Sequence, residues 1–312
     1  MATPYITPAV LTAAPSGVSW SIIPDPDSDL SAQLAAQTLV CWKATSRLDT
    51  YCNQILRATV NTEYPLGPGG PRCTVDRNTG NGTLIMKRWP VTEVLAIQTS
   101  PARSFNPQVW SPVPAGNWRI RHPLIWSGET AFATAPDGGW TIDVAPGWIS
   151  WKYGRGGLLA QVCHVNGWPH TSLTANAQAG AEALQVDDVT GWTLAAGFAY
   201  DGAATESVAV GSVSANTPLV LPNGAGTAQA GPGTMALTGP LEYAHPAGTM
   251  ISAFPATLIE AAIYAACYQA IDAGIDAIAV QSLGGDRVSS GEAAKDIATE
   301  MEILLDKFIR VF

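Results

Sequence analysis

Charge is scarce in this chain of 312 residues. Only 13% of the residues are charged, about half of the ~25% that is usual in soluble domains. Hydrophobic residues make up 47%, with 30 Gly and 23 Pro. This composition excludes a disordered chain, a coiled coil and a highly charged nucleic-acid binder. The net charge of -9 means that DNA phosphate and anionic membranes repel the chain wherever it carries no local basic patch.

Long hydrophobic runs and targeting signals are also missing. The most apolar segment, 256–280, is interrupted by Glu260, Gln269, Asp272 and Asp276, so we expect no transmembrane helix. The N-terminus has no Lys or Arg ahead of an apolar run, so we predict no secretory signal and expect synthesis in the cytoplasm. Low charge without a membrane span favours surface that is buried against other subunits, because large interfaces are depleted in charge.

Cysteine and histidine are few and widely spaced. The cysteines are odd in number and form no CxxC pair, so we predict reduced, buried thiols. Cys163 and His164 are adjacent, and in a strand they point to opposite faces, which does not suit a shared ligand site. We therefore expect no metal. The residues concerned are Cys41, Cys52, Cys73, Cys163, Cys267, His122, His164, His170 and His245.

Motifs that carry catalysis are absent as well. The sequence contains no GxSxG, no Walker A and no HExxH. Glu300 and Glu302 are two positions apart on a predicted helix, so their carboxylates do not converge. We predict a protein that is not an enzyme, with no catalytic residue and no cofactor.

The few charges are unevenly distributed. Residues 1–168 hold 12 of the 16 Lys and Arg and 10 of the 25 Asp and Glu. Residues 169–255 hold no base and 6 acids, and residues 256–312 hold 4 bases and 9 acids. We interpret 169–255 as a separate module, inserted into a host domain made of 1–168 and 256–312.

The host begins with a long predicted helix over residues 29–58. Ser28 is a plausible N-cap, and acidic residues stand near the positive end of the helix. The apolar stripe recurs at steps of three and four residues, which is the helical period. Its members are Leu34, Thr38, Cys41, Thr45, Leu48, Cys52 and Ile55.

Short strands punctuated by Pro and Gly follow the helix. We predict them at 83–88, 91–99, 118–121, 140–144 and 148–152. Eight of the 11 Trp lie in this region, between Trp89 and Trp168. Such a surface can bind sugars, but these rings can equally pack a small sheet or fill subunit contacts.

The middle block is predicted to be all-β, a small barrel or sandwich. Strand-like runs lie at 183–186, 199–201, 207–213 and 219–221, separated by Asp-Gly and Asn-Gly turns. The acids are too dispersed for a loop-type calcium site, so we assign them to turns. They are Asp187, Asp188, Asp201 and Glu206.

The tail is predicted to be helical again. Pro255 opens an Ala-rich helix, and a last helix spans 291–309, capped by Ser289 or Ser290. Its stripe consists of Ile297, Met301, Leu304, Leu305 and Phe308. The fold class is therefore α+β: a long helix, C-terminal helices and a small antiparallel sheet, carrying an inserted all-β module.

Two blocks of the sequence carry a resemblance. One is GTLIMKRWPVTEVLAI at 82–97, and the other combines AVQSLGGD at 279–286 with a final helix ending KFIRVF. In this order the chain resembles the head–tail connector (adaptor) proteins of long-tailed double-stranded DNA bacteriophages. The matching parts cover about half of the chain. The long insert and the β region at 103–153 depart from the compact family pattern.

The resemblance implies a virion protein at the head–tail junction, made in the host cytoplasm. It implies a ring, usually of twelve copies, that binds beneath the portal protein. Such a ring extends the DNA channel and offers a docking surface to the next neck or tail protein. We expect DNA to pass without specific binding, because an acidic wall does not grip phosphate, and we expect the insert to point outward.

The C-terminal end is both apolar and basic. We hypothesise that it docks into the portal, through Lys307, Phe308, Arg310, Val311 and Phe312. The alternative is that Phe308 and Val311 pack on the host helices.

Two other functions stay open at this point. The insert and the tryptophans also fit another phage structural role, such as a tail-completion, baseplate or decoration protein. The aromatic-rich β region also fits a carbohydrate-binding surface protein.

Overall fold

The structure is a computed structural model with an α+β fold. It describes residues 3–16, 18, 20, 23, 27–66, 73–76, 78–101, 109–121, 141–146, 148–149, 158–272 and 290–309. The α-helices in these ranges are α1 (Pro8–Ala13), α2 (Leu30–Cys52), α3 (Ala256–Asp272) and α4 (Ser290–Leu305). The strands of the first half are β1 (Thr59–Leu66), β2 (Cys73–Val75), β3 (Gly82–Ile85), β4 (Val91–Pro101), β5 (Ser111–Pro112), β6 (Trp118–Arg121), β7 (Thr141–Val144) and β8 (Leu158–Asn166). Those of the second half are β9 (His170–Ser172), β10 (Ala183–Val186), β11 (Ala196–Tyr200), β12 (Glu206–Ala215), β13 (Leu219–Val220), β14 (Thr227–Ala228), β15 (Gly233–Leu237) and β16 (Met250–Ser252).

Helix α2 is shorter than predicted at both ends. Its N-cap is Asp29 instead of Ser28, because an Asp29 Oδ1 atom accepts from the N–H of Ala32 at 2.7 Å. It ends at Asn53, which adopts a left-handed conformation with φ 54° and donates its N–H to carbonyls of the last turn. The predicted extension to residue 58 is wrong, since the chain beyond Asn53 turns away and enters β1.

The three long helices form one layer, with α3 in the middle. Helix α3 packs against both α2 and α4, whereas α2 and α4 make few contacts with each other. Small alanines such as Ala262 and Ala265 are fully buried and let the helix axes approach closely. Helix α3 follows Pro255 as predicted, and α4 gives way to a 3-10 turn at Asp306–Phe308.

Two four-stranded antiparallel sheets follow α2. The first has the order β1-β8-β4-β5 and the second β2-β3-β7-β6. One hydrophobic cluster includes Val94 and Ile97 of the first sheet and Leu84 and Ile142 of the second. The central strand β8 escaped the sequence prediction, although it pairs with both β1 and β4.

The predicted strands of this region differ mainly at their ends. Strand β6 matches its prediction, and β4 runs two residues further than predicted. Strand β3 ends at Ile85 because the buried Glu63 carboxylate accepts from the N–H groups of Lys87 and Arg88 and holds them in a turn. Trp148 and Ile149 lie in a turn, which corrects the predicted strand 148–152 for its described residues.

Residues of the predicted middle block form a six-stranded antiparallel sheet. Its order is β10-β15-β12-β11-β16-β9. The first strand in sequence, β9, pairs with the last, β16, so the chain enters and leaves this sheet side by side. A hydrophobic cluster belongs to this block alone, with Trp192 and Met235 fully buried in it.

A hairpin of β13 and β14 ties this block to the first sheet. Leu221 and Ala228 pack against Cys163 of β8. The Asn223 side-chain amide donates to Gln161, and the Asn223 carbonyl accepts from Gln98 at 3.3 Å. The block therefore contacts the host at its base and at this hairpin.

The N-terminal segment, the host and the base of the six-stranded sheet meet at a cluster of rings, which we call the aromatic junction. The Tyr5 and Phe254 rings are 5.0 Å apart and edge-to-face, and His170 stacks on Phe254 at 4.7 Å. Trp168 meets Phe308 edge-to-face at 5.5 Å. The junction consists of Tyr5, Trp168, His170, Phe254 and Phe308, all of them buried.

The hydroxyl of Tyr5 completes the end of α2. It donates to the Asp49 carboxylate and accepts from the N–H of Leu56 at 2.9 Å. Burial raises the pKa of Asp49, and Tyr5 supplies a donor that this desolvated carboxyl needs. This bond fastens the N-terminal segment to the helix.

We expect Tyr5→Phe to lower the free energy of unfolding by about 1–3 kcal/mol, because it leaves buried partners of the hydroxyl unsatisfied. The matched control is Tyr51→Phe, which removes an exposed bond to Asp306 and is expected to cost less than about 1 kcal/mol. Urea unfolding of both variants measures this. Equal losses would show that the Tyr5 hydroxyl has no special role.

Candidate functional site

The predicted docking end divides into two parts. Lys307 and Phe308 lie within the described residues, while Arg310, Val311 and Phe312 lie outside them. The Lys307 ammonium lies 5.4 Å from the centroid of the Phe308 ring. Of the described pair, Lys307 alone has part of its side chain at the surface.

Phe308 is fully buried in the chain's own core, which corrects its predicted availability for docking. Its ring packs on Trp168, and its carbonyl accepts from the Gln54 side chain at 3.2 Å. For this residue the alternative of packing on the host holds. The physical reason is that a large aromatic ring contributes most to stability when it is buried, and the Trp168 ring offers it a packing partner within the chain.

His245 lies between two carboxylates and serves the six-stranded sheet. Its Nδ1 atom is 3.2 Å from Asp201, and its Nε2 atom is 2.8 Å from Glu206. Glu206 also accepts from the N–H groups of Glu242 and Tyr243, and these backbone bonds lower its pKa against the effect of desolvation. The cluster pins a loop to two strands.

His170 is held neutral in the aromatic junction. Its Nε2 donates to the Pro4 carbonyl at 2.8 Å, which leaves Nδ1 to accept from the Ser252 hydroxyl at 3.1 Å. Burial lowers the pKa of His170 to about 4, aided by the charge of Arg57. The neutral imidazole makes one hydrogen bond through each ring nitrogen, and together these bonds join the N-terminal segment to β16.

The cysteines and the acids of the middle block are held by packing and by turns. Cys41, Cys52, Cys163 and Cys267 are buried thiols as predicted, whereas Cys73 is only partly buried, which corrects its prediction. Burial raises the pKa of Cys41 and Cys52 to about 12 and that of Cys73 and Cys267 to about 11. Asp188 accepts from the N–H of Thr190 at 2.9 Å, as expected for a turn residue. Among the described residues, no group of three or more His, Cys, Asp or Glu is arranged to hold a metal ion.

The described tryptophans are mostly packed. Trp20, Trp168 and Trp192 are buried, and Trp89, Trp118 and Trp148 are partly buried against the two host cores. Packing uses the ring faces that a sugar needs for stacking.

Trp110 is partly buried beside the exposed Tyr64, and Trp42 is the most exposed of the described tryptophans and marks an exposed face of α2. Leu39 is 55% exposed and Trp42 is 36% exposed, and their positions lie off the buried stripe of α2. Lys43 and Ser46 are exposed beside them. With Ile55, which is 45% exposed, these residues make up what we call the α2 face.

A groove of about 480 Å³ lies along the α2 face at the C-terminal end of the helix. Trp42 and Ile55 are its large apolar side chains, and polar groups complete the lining. The groove can therefore accept an apolar side chain between Trp42 and Ile55.

Helix α4 has an exposed face that is mainly acidic, in contrast to the mainly apolar α2 face. Ile303 is apolar, yet it is 61% exposed, because it lies on the side of α4 that faces away from the core. The side chains around it are polar or acidic and exposed. We call this set the α4 face; it consists of Asp296, Thr299, Glu300, Glu302 and Ile303.

Sequence reasoning missed both faces, though a signal was present. Trp42 and Ile303 fall outside the apolar stripes of their helices, and an exposed apolar patch, such as Trp42 forms with Leu39 and Ile55, is typical of a contact with another molecule. The predicted apolar stripe of α2 also included Leu34 and Ile55. Both are exposed, because these two positions lie beyond the reach of the core.

Comparison of the chain with protein-family models, with curated proteins and with solved structures gave no match in any of the three. The described helices include none with the length and apolarity needed to span a membrane.

The buried His170 predicts a pH dependence of stability. Below its ordinary pKa of 6.5 the unfolded chain binds a proton at this site, whereas the folded chain does so only near pH 4. We expect the free energy of unfolding to fall by about 1.4 kcal/mol per pH unit across this window, with no contribution above it.

The measurement is urea unfolding from pH 7 to pH 4, comparing the wild-type chain with His170→Gln. The variant keeps a donor for the Pro4 carbonyl but does not titrate, so its slope against pH is expected to be shallower. Parallel slopes for the two chains would contradict the prediction.

Proposed function

We propose that this chain is a virion structural protein, the head-to-tail adaptor of a long-tailed double-stranded DNA phage. In this role it forms a ring beneath the portal protein, extends the DNA channel and offers a docking surface to the next neck or tail protein. The sequence resemblance of residues 82–97 and 279–312 to connector proteins suggests the role.

The observation that carries the proposal is the exposure of large apolar side chains on the outer helical faces. The side chains of Leu39 and Ile303 are more than half exposed and that of Trp42 is about a third exposed. The chain has only 13% charged residues. Soluble monomers spread charge over such helix faces, whereas assembled subunits cover them with a neighbour.

The fold is compatible with this role. Residues 169–255 are interpreted as a module inserted into a host of 1–168 and 256–312, supported by the side-by-side entry and exit strands β9 and β16. The module carries no Lys or Arg, so we place it outward from the ring, away from DNA. The net charge of -9 favours a channel along which DNA slides without being gripped.

The alternatives receive less support. Most of the described tryptophans are packed in the cores, which weighs against carbohydrate binding, although the Trp42 ring and the Tyr64–Trp110 pair remain at the surface. Another phage structural role, such as a tail-completion, baseplate or decoration protein, would also need surfaces for assembly. The location of the chain in the phage particle distinguishes such a role from that of an adaptor.

The direct test is electron microscopy and mass photometry of the purified chain. We expect closed rings of about a dozen subunits around a central channel, and the same rings at the neck of phage particles. Particles in which the chain lies on the capsid surface or at the tail tip would contradict the adaptor role.

The docking hypothesis at the C-terminus now rests on Lys307, Arg310, Val311 and Phe312. We expect a chain lacking residues 309–312 to fold normally and to bind portal rings more weakly, as measured by co-sedimentation. Phe308→Ala is the contrast, since loss of a buried ring is expected to lower the free energy of unfolding by about 3–5 kcal/mol. Normal portal binding by the truncated chain would remove the hypothesis.

A further inference from the structure

The helical layer exposes apolar side chains on two separate flanks. Leu39 and Trp42 lie on α2, and Ile303 lies on α4, each on the side of its helix opposite the buried stripe. Helix α3 packs against both α2 and α4, and α2 meets the end of α4 through the Tyr51–Asp306 hydrogen bond, so the two faces are separate surfaces on different helices. A neighbour that covers one face therefore leaves the other free.

The two faces differ in charge. Lys43 is the exposed charge of the α2 face. Asp49, which lines the groove, is half-buried and its carboxylate already accepts from the Tyr5 hydroxyl and the Leu56 N–H. The α4 face presents three carboxylates, from Asp296, Glu300 and Glu302, with Lys295 at its border. The whole sequence has the same asymmetry, with 12 bases and 10 acids in 1–168 against 4 bases and 9 acids in 256–312.

This asymmetry decides between two kinds of pairing. A two-fold contact of α4 with α4 places carboxylates against carboxylates, and a contact of α2 with α2 places Lys43 near its own copy. A contact of α4 with α2 brings opposite charges together. Such a head-to-tail contact repeats from copy to copy and closes into a ring when the rotation allows.

The shapes also fit this arrangement. The groove between Trp42 and Ile55 on the α2 face is open to solvent and has an apolar lining beside polar groups. Ile303 projects from the centre of the α4 face as a single branched apolar side chain among polar ones. An apolar knob with a polar rim entering such a groove is the usual anatomy of a protein interface.

We propose that copies of this chain assemble head to tail through the α4 face of one copy and the α2 face of the next, with Ile303 entering the groove beside Trp42. The inference rests on the proposed function and names the surface by which its ring forms. It extends the layer of three helices around the ring, so that every copy buries both of its exposed flanks.

The test uses one substitution on each face. Leu39→Asp blocks the α2 face, Ile303→Asp blocks the α4 face, and Val220→Asp on the exposed β13 strand is the matched control, since Val220 is 75% exposed. All three replace an exposed apolar residue by a carboxylate, so the fold is expected to persist, as circular dichroism and urea unfolding measure.

Analytical ultracentrifugation then compares assembly. The concentration at which half of the wild-type chain is assembled is expected to rise about tenfold or more in each face variant, and to stay unchanged in the control. A one-to-one mixture of the two face variants keeps one intact α4–α2 contact. We therefore expect that mixture to form pairs of one copy of each variant, and nothing larger.

Each other outcome overturns something specific. Wild-type rings with normal assembly of either face variant would overturn the interface and leave the adaptor role standing. Loss of assembly in the Val220→Asp control, or a mixture without pairs, would overturn the head-to-tail contact. A wild-type chain that stays monomeric at every concentration would count against both the interface and the proposed function.

Discussion

The need to bury the rings of the aromatic junction constrains the rest of this structure. Tyr5, Trp168, His170, Phe254 and Phe308 come from distant parts of the chain, and they lose water together only if those parts converge. Burial of such large side chains is the main favourable contribution to folding. The Tyr5 hydroxyl and the two His170 ring nitrogens are hydrogen-bonded at the same time, to Asp49, Pro4 and Ser252. The N-terminal segment, the helical layer and the six-stranded sheet are thereby held in one arrangement.

This arrangement leaves a surface that is poor in charge. The apolar residues of the host are divided between an inner stripe, which the junction and α3 cover, and outer faces on α2 and α4, where Leu39, Trp42 and Ile303 are exposed. The two faces differ in hydration, because the α4 face carries three carboxylates whereas the α2 face has Lys43 as its exposed charge. In the proposed ring a second copy would bury the apolar side chains of both faces, which agrees with the scarcity of charge.

The six-stranded sheet contributes differently. It has its own apolar core, and it contacts the host through the base strands and the β13–β14 hairpin. His245, fixed between Asp201 and Glu206, holds one of its loops. Its histidines and acids thus serve the folding of a block that contains no basic residue.

The sequence by itself determined the α+β class, the helices α2, α3 and α4, and strands such as β4, β6 and β10. These features rest on periodicity and on Pro and Gly within short windows, which local conformational preference controls. It did not determine the end of α2, the central strand β8, or the fate of Phe308 and of the two exposed faces. Only the tertiary structure decided these, because the burial of a side chain depends on partners far along the chain. Phe308 is buried because the Trp168 ring packs on it, whereas Ile303, on the opposite side of the same C-terminal region, is 61% exposed.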